Sequence, residues 1–272
     1  MSAESTYLLD NASDKAGTRM DVLARLYDAT SQRVLEGTGL AAGWRCLEVG
    51  GGGGSMARWM AGRVGPQGHV LCTDIDTRII EREHPAAVPN LEVIRHDIAR
   101  DPLPAATFDL AHARLVMIHV PERERAIESM VAALKPGGWL VIEDFDSASV
   151  QPDPRVNRFE TPLPTSEAVR KYLTRTHDGF FGRRLHGRFR ELGLVDVSAE
   201  ARTVMFDKRN GGADLMRVNF EQVGAEIIAA GLITRQQIDA DLAMLEREEF
   251  AIPSPAMWSV SGRKPPAQGR TG

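Results

Sequence analysis

The sequence predicts an α/β fold, a doubly wound and mostly parallel sheet carrying helical insertions. Three observations predict it. Short apolar runs alternate with helical periodicities from the N-terminal region to Asp146. The runs "VLC" and "WLVI" are apolar without alternation, as in strands buried on both faces. The first run passes straight into five glycines and then a helix, in "CLEVGGGGGSMARWM", Cys46 to Met60.

Each element follows from a local pattern. From about Asp14 to Glu36, Met20, Leu23 and Tyr27 recur at i, i+3 and i+7, with Val22 and Leu26 widening the stripe, so a helix is predicted. "WRCLEV" reads as a strand and "SMARWMAGRV" as a helix. "HVLCTDID" is a second strand followed by helical "TRIIERE". "LEVIRHD" and "TFDLAHARL" are the third and fourth strands. "PERERAIESMVAALKPGG" is a helix that Lys135-Pro136-Gly137-Gly138 stops, the same motif starting the fifth strand, "WLVIEDFD". Beyond it, "PTSEAVRKYLTRTHDGFF" reads as a helix, and "GRRLHGRFRELGLVDV" as a helix and then a strand ending near Phe206. Residues 211–249 read as helical with a break at Gly231, and "AMWSVSGRK" as the last strand.

Composition narrows the function. At 272 residues, 43% hydrophobic and 26% charged, the chain reads as globular, with no apolar run long enough to span a bilayer. A net charge of −4 argues against nucleic acid as partner. The N-terminus lacks a secretory pattern and the two cysteines make no disulfide framework, so the cytoplasm is the expected compartment. No H-x-x-x-H or C-x-x-C spacing suggests a metal.

A strand, glycines and a helix in succession form a nucleotide-cofactor arrangement, because glycine lets backbone approach the ligand and helix N–H groups point at it. The nicotinamide fingerprint G-x-G-x-x-G fails here: counted from Gly50 or Gly51, the third glycine is Ser55 or Met56. The spacing that fits is E-x-G-x-G-x-G, with Glu48, Gly50, Gly52 and Gly54. An acid just ahead of the glycines suits a ligand bearing a cationic amino group.

From Trp44 to Asp146 the sequence resembles the class I S-adenosylmethionine-dependent methyltransferases, small-molecule branch. "EVGGGGG", Asp74 at the end of strand two, "RHDI", "FDLAHARLVMIHV" and "LKPGGWLVIED" follow the family's motif order. The resemblance implies a Rossmann-like, seven-stranded sheet and S-adenosylmethionine as cofactor. It implies that Glu48 to Gly54 hold the methionine end and that Asp74, with Ile75 beside it, grips the ribose. Asp97 would contact the adenine amino group, Ile98 would pack on the ring, and Arg114 would lie near the reactive end. Asp76 competes with Asp74, but it directly precedes a helix and reads better as its cap.

The predicted partition is an N-terminal helical cap (1–43), a cofactor core (44–146), a lid insertion (147–179), core again (180–206), a helical lid insertion (207–255), the last strand (256–264) and a tail (265–272). Both insertions start from the cofactor face, as expected of a lid over a small organic acceptor. His112 is the first candidate for a base, then His119 and His177, each weighed against a structural role. The function expected is methyl transfer to a small molecule in secondary-metabolite biosynthesis, on oxygen, nitrogen or carbon, with a homodimer left open. A nicotinamide-dependent oxidoreductase and a methyltransferase-like binding protein without turnover are the alternatives.

Overall fold

A computed structural model describes residues 15–83, 88–150, 155–173 and 178–267. Seven strands form the main sheet: β1 Arg45–Val49, β2 His69–Asp74, β3 Leu91–Arg95, β4 Phe108–Arg114, β5 Leu134–Asp146, β6 Val195–Arg202 and β9 Ala256–Arg263. Their order is β3-β2-β1-β4-β5-β9-β6, parallel except for β9, which runs antiparallel to both neighbours. The chain winds outward from β1 through β2 to β3, then returns to place β4 on the other side of β1. The carboxyl ends of β1 and β4 therefore frame a topological switch point, where such sheets bind ligands.

Side chains alternate between the two faces as the pleat requires. Leu47, Ala111 and Ile142 pack on one face with α4 Arg123–Ala133 and α6 Leu185–Glu191. Cys46, Leu110 and Val141 pack on the other with α2 Ser55–Val64, α3 Arg78–Glu83 and the end of α1 Lys15–Gly37. Both faces being covered explains the unbroken apolar runs.

Over the carboxyl ends lie α5 Pro164–Leu173, α7 Gly212–Ala229 and α8 Arg235–Leu245. They share a core of Ala168, Val223, Ile227 and Ile238. Asp241 of α8 is buried and accepts from the Thr165 backbone N–H at 2.7 Å and its hydroxyl at 2.6 Å, fastening the start of α5. Thr234 and Gln237 form a capping box at the start of α8.

Two strand boundaries differ from expectation. Lys135-Pro136-Gly137-Gly138 lies at the start of a strand, as expected, but that strand begins before the motif, at Leu134, and not at Trp139. The helix α4 ends at Ala133, and these residues open β5, where Gly137 takes φ +83° beside a register shift between Phe108 and Leu110. Strand six ends at Arg202 rather than near Phe206. Met205–Phe206 form a separate strand, β7, which pairs with β8, Ile252–Pro253. The second insertion is thus closed at its base by a two-residue β-bridge, too short to show in the sequence pattern.

Candidate functional site

The glycine loop is built where β1 ends. Gly50 and Gly51 N–H groups donate to Thr73 O at 2.7 and 3.0 Å, and the Gly52 N–H donates to Asp74 Oδ2 at 2.8 Å. A Cβ at Gly50 would lie 2.3 Å from Val116 Cγ2, so only glycine fits. Gly52 has φ +53°, and a Cβ there would meet Met20 Sδ of α1 at 3.0 Å. The helix α2 starts at Gly54 without a side-chain cap, so its first N–H groups are left for a ligand.

Above this loop opens a cavity of about 2080 Å³. Its floor includes Glu48, the glycines, Asp74, Ile75, Asp97, Ile98 and Arg114. Its walls come from α1, from the 147–179 segment and from the 207–255 segment.

Glu48 does not stand alone. Its Oε2 lies 2.6 Å from His112 Nδ1, and His112 Nε2 lies 3.1 Å from Glu143 Oε2. Ser259 donates to the other Glu143 oxygen. Glu48 faces His112 in the β1–β4 register and Glu143 faces Ser259 in the β5–β9 register. The four side chains make a row across four strands. Both imidazole nitrogens can donate only when the ring is protonated, because a neutral ring has a single N–H. Burial opposes that charge, but Glu48 and Glu143 outweigh it and hold the His112 pKa up at about 9. Burial likewise opposes ionisation of Glu143, and its hydrogen bond from His112 overrides this and lowers its pKa.

A family model described as a methyltransferase domain matches residues 15–199. The chain belongs to this family, the class I S-adenosylmethionine-dependent methyltransferases. A ubiquinone/menaquinone biosynthesis C-methyltransferase of Pseudomonas putida is 32% identical over 119 residues, covering 41% of this chain and 45% of that relative. The match therefore spans about half the length of the curated relative. Among solved structures, a Haemonchus contortus phosphoethanolamine N-methyltransferase in complex with S-adenosylhomocysteine covers 95% of this chain and 59% of its own, with TM-score 0.57 and 14% identity. A methyltransferase of Aquifex aeolicus covers 91% and 96%, with TM-score 0.52 and 16% identity.

In this member of the family the predicted residues differ in what already engages them. Asp74 is nearly buried at the cavity floor, and its second oxygen accepts from the Asp76 N–H at 3.0 Å. Each of its oxygens keeps a second lone pair for a hydroxyl. Burial raises its pKa, and these N–H donors partly offset the effect. Asp76 accepts from the Arg78 N–H at 3.1 Å and from its guanidinium, so it is engaged at the start of α3. Asp97 Oδ1 accepts from the Ala99 N–H at 2.9 Å, so it also shapes its own turn. Arg114 lines the cavity but donates to Asp28 Oδ1 at 2.7 Å and Ser31 Oγ at 3.0 Å, tying β4 to α1.

His112 requires correction as a candidate base. It is wholly buried in the sheet, does not line the cavity and has both nitrogens engaged, so no acceptor can reach it. His119 borders the cavity, on the short 3₁₀ turn after β4. His177 lies outside the described residues. Cys46 and Cys72 are free, buried thiols whose ionisation burial disfavours.

Several participants escaped the sequence pattern. The apolar stripe of α1 includes Met20 without indicating its place over the glycines, and it leaves out Asp28, which accepts from Arg114. Glu143 was visible as an acid closing an apolar strand, a signal worth reading. Ser166 Oγ and Asn219 Oδ1, which border the cavity from α5 and α7, are buried without a hydrogen-bond partner. Among the described residues no cluster of His, Cys, Asp or Glu could hold a metal, and no helix is long and apolar enough to cross a membrane.

Proposed function

We propose that this protein transfers the methyl group of S-adenosylmethionine to a small, largely apolar organic acceptor enclosed by the lid. The observation that carries this reading is the size and lining of the cavity. At about 2080 Å³ it exceeds the roughly 300–1,000 Å³ of a single small-molecule site. Away from the glycine loop it is bordered by Phe145, Leu163, Phe206, Met216, Phe220 and Ile252.

When bound, S-adenosylmethionine supplies a methyl group already activated on a sulfonium. The chain's residues then have to hold and align. Glu48 would meet the cofactor's ammonium, the Gly50–Gly54 loop and the start of α2 its carboxylate, Asp74 its ribose hydroxyls, and Asp97 with Ile98 its adenine. The uncapped α2 start, the side-chain-free loop and the acid beside it suit that ligand chemically. Ser166 and Asn219 would orient a polar group of the acceptor, since each has a buried atom lacking a partner. The lid would exclude water and align the nucleophile, an effect that can supply ~7–11 kcal/mol of the barrier.

The C-methyltransferase relative supports a quinol-like ring as the acceptor, which would attack the sulfonium methyl through carbon or a phenolic oxygen. The apolar side chains that border the cavity away from the glycine loop suit such a ring, in a biosynthetic tailoring step of secondary metabolism. If the nucleophile is phenolic, His119, which borders the cavity, would accept its proton.

The test is incubation with S-adenosylmethionine and a panel of substituted hydroquinones, naphthols and amines, read by mass spectrometry. Methylated product from the ring-hydroxyl compounds is expected. Cofactor binding with no product from any of them would favour a binding protein. His119→Ala should lower turnover by ~10²–10⁴-fold with S-adenosylhomocysteine affinity kept. Unchanged turnover would mean that the nucleophile needs no base there.

A further inference from the structure

We infer that His112 and Glu143 are positioning residues for the cofactor's ammonium: the buried row Glu48–His112–Glu143 carries one uncompensated negative charge that a cation at Glu48 completes. The inference rests on the reading of Glu48 as the ammonium's partner.

Two carboxylates and one imidazolium sum to −1, and all three side chains are nearly or wholly withdrawn from water. Other groups around the row leave that sum in place. Arg114 acts on Glu143 from β4, the neighbouring strand that also carries His112, but its charge is matched by Asp28. Arg33 acts on Glu143 from α1 and is ion-paired with Glu200. Cys46 and Cys72 feel Glu48 and stay neutral. Asp144, next to Glu143 on β5, is held toward its neutral form chiefly by burial. Ser259 contributes a hydroxyl donor and no charge.

An unmatched charge in a water-poor setting is costly, so the site gains when a cation arrives. Of the three groups, only Glu48 borders the cavity. Glu143 therefore acts on the ligand through His112. It keeps the ring doubly donating, and the ring fixes Glu48 by one oxygen. A glutamine at 143 keeps an oxygen to accept from Nε2 and Glu48 still faces Nδ1, so while the ring stays protonated Glu143→Gln brings the row to neutrality, and a bound ammonium then goes unmatched.

The experiment uses the full chain and two ligands. S-adenosylhomocysteine carries the ammonium; 5′-methylthioadenosine keeps the nucleoside and the thioether and lacks it. By calorimetry at pH 7.5, Glu143→Gln should weaken S-adenosylhomocysteine about tenfold and leave methylthioadenosine within about twofold. Glu48→Gln should show the same selectivity, at least as strongly. Nitrogen-15 spectra of the wild-type imidazole should show His112 doubly protonated at pH 8. Equal weakening of both ligands by Glu143→Gln, or of neither, with Glu48→Gln selective, would overturn the inference and spare the reading of Glu48. Unchanged affinities in Glu48→Gln would overturn that reading, and the inference with it. A neutral His112 ring at pH 8 would overturn the inference whether or not the variants fold.

Discussion

At Gly52 a positive φ and a methionine sulfur within contact distance act together. A branched side chain there would strain the backbone and push against Met20. Gly52→Val is expected to lose S-adenosylhomocysteine binding more completely than it loses melting temperature, compared by calorimetry and thermal denaturation. Asp74 and Asp76 separate on the same principle of what each oxygen touches. Asp74→Ala should weaken cofactor binding at least tenfold, because charge-assisted hydrogen bonds are worth about 1.5–3 kcal/mol each. Asp76→Ala should cost about 1 kcal/mol of stability as a lost helix-start contact, with affinity nearly kept. The reverse ranking in a titration would place the ribose partner at Asp76.

The element that matters most for the site is α1, because it closes the cavity over the glycines. Its attachment is polar as well as apolar. Asp28 accepts from Arg114 at 2.7 Å and from Ser55 at 3.2 Å, so one carboxylate joins α1 to β4 and to the start of α2. The Asp28 and Arg114 side chains are 19% and 11% exposed, so the pair is screened less than a surface bridge. Asp28→Ala would leave the guanidinium partly buried and unmatched. Expected are a lower melting temperature and weaker S-adenosylhomocysteine binding together, as Met20 loosens over the loop. Asp28→Asn, which keeps an acceptor, should show less of both. A variant with full affinity would mean that the apolar face of α1 suffices.

Across the whole molecule the buried ionisable groups set how stability follows pH. The folded pKa of His112 is about 9, against about 6.5 for a free imidazole. A pKa raised on folding contributes stability that is fully present below the unfolded value and is lost as pH climbs through the folded one. Asp144, raised by burial against the donors of Ile118 and Met117, acts in the same direction. The melting temperature should therefore fall between about pH 6.5 and pH 9.5 by an amount worth a few kcal/mol. In His112→Gln that alkaline fall should shrink. An identical slope in the variant would assign the effect to other groups.

The sequence by itself determined the parallel core, because its apolar runs and helix periodicities are local consequences of burial on two faces and on one. It also determined the class of cofactor, since the spacing of Glu48, Gly50, Gly52 and Gly54 is a property of one continuous segment. Only the tertiary structure decided what His112 is. A histidine near a strand end reads as a base until β1 and β5 arrive on either side with Glu48 and Glu143. Those neighbours lie 64 and 31 residues away along the chain, and no local pattern encodes cross-strand register. The same holds for Asp28 under Arg114, and for Ser166 and Asn219 over the chamber. Their roles depend on long-range packing, where a polar side chain acquires meaning from what surrounds it and not from its neighbours in sequence.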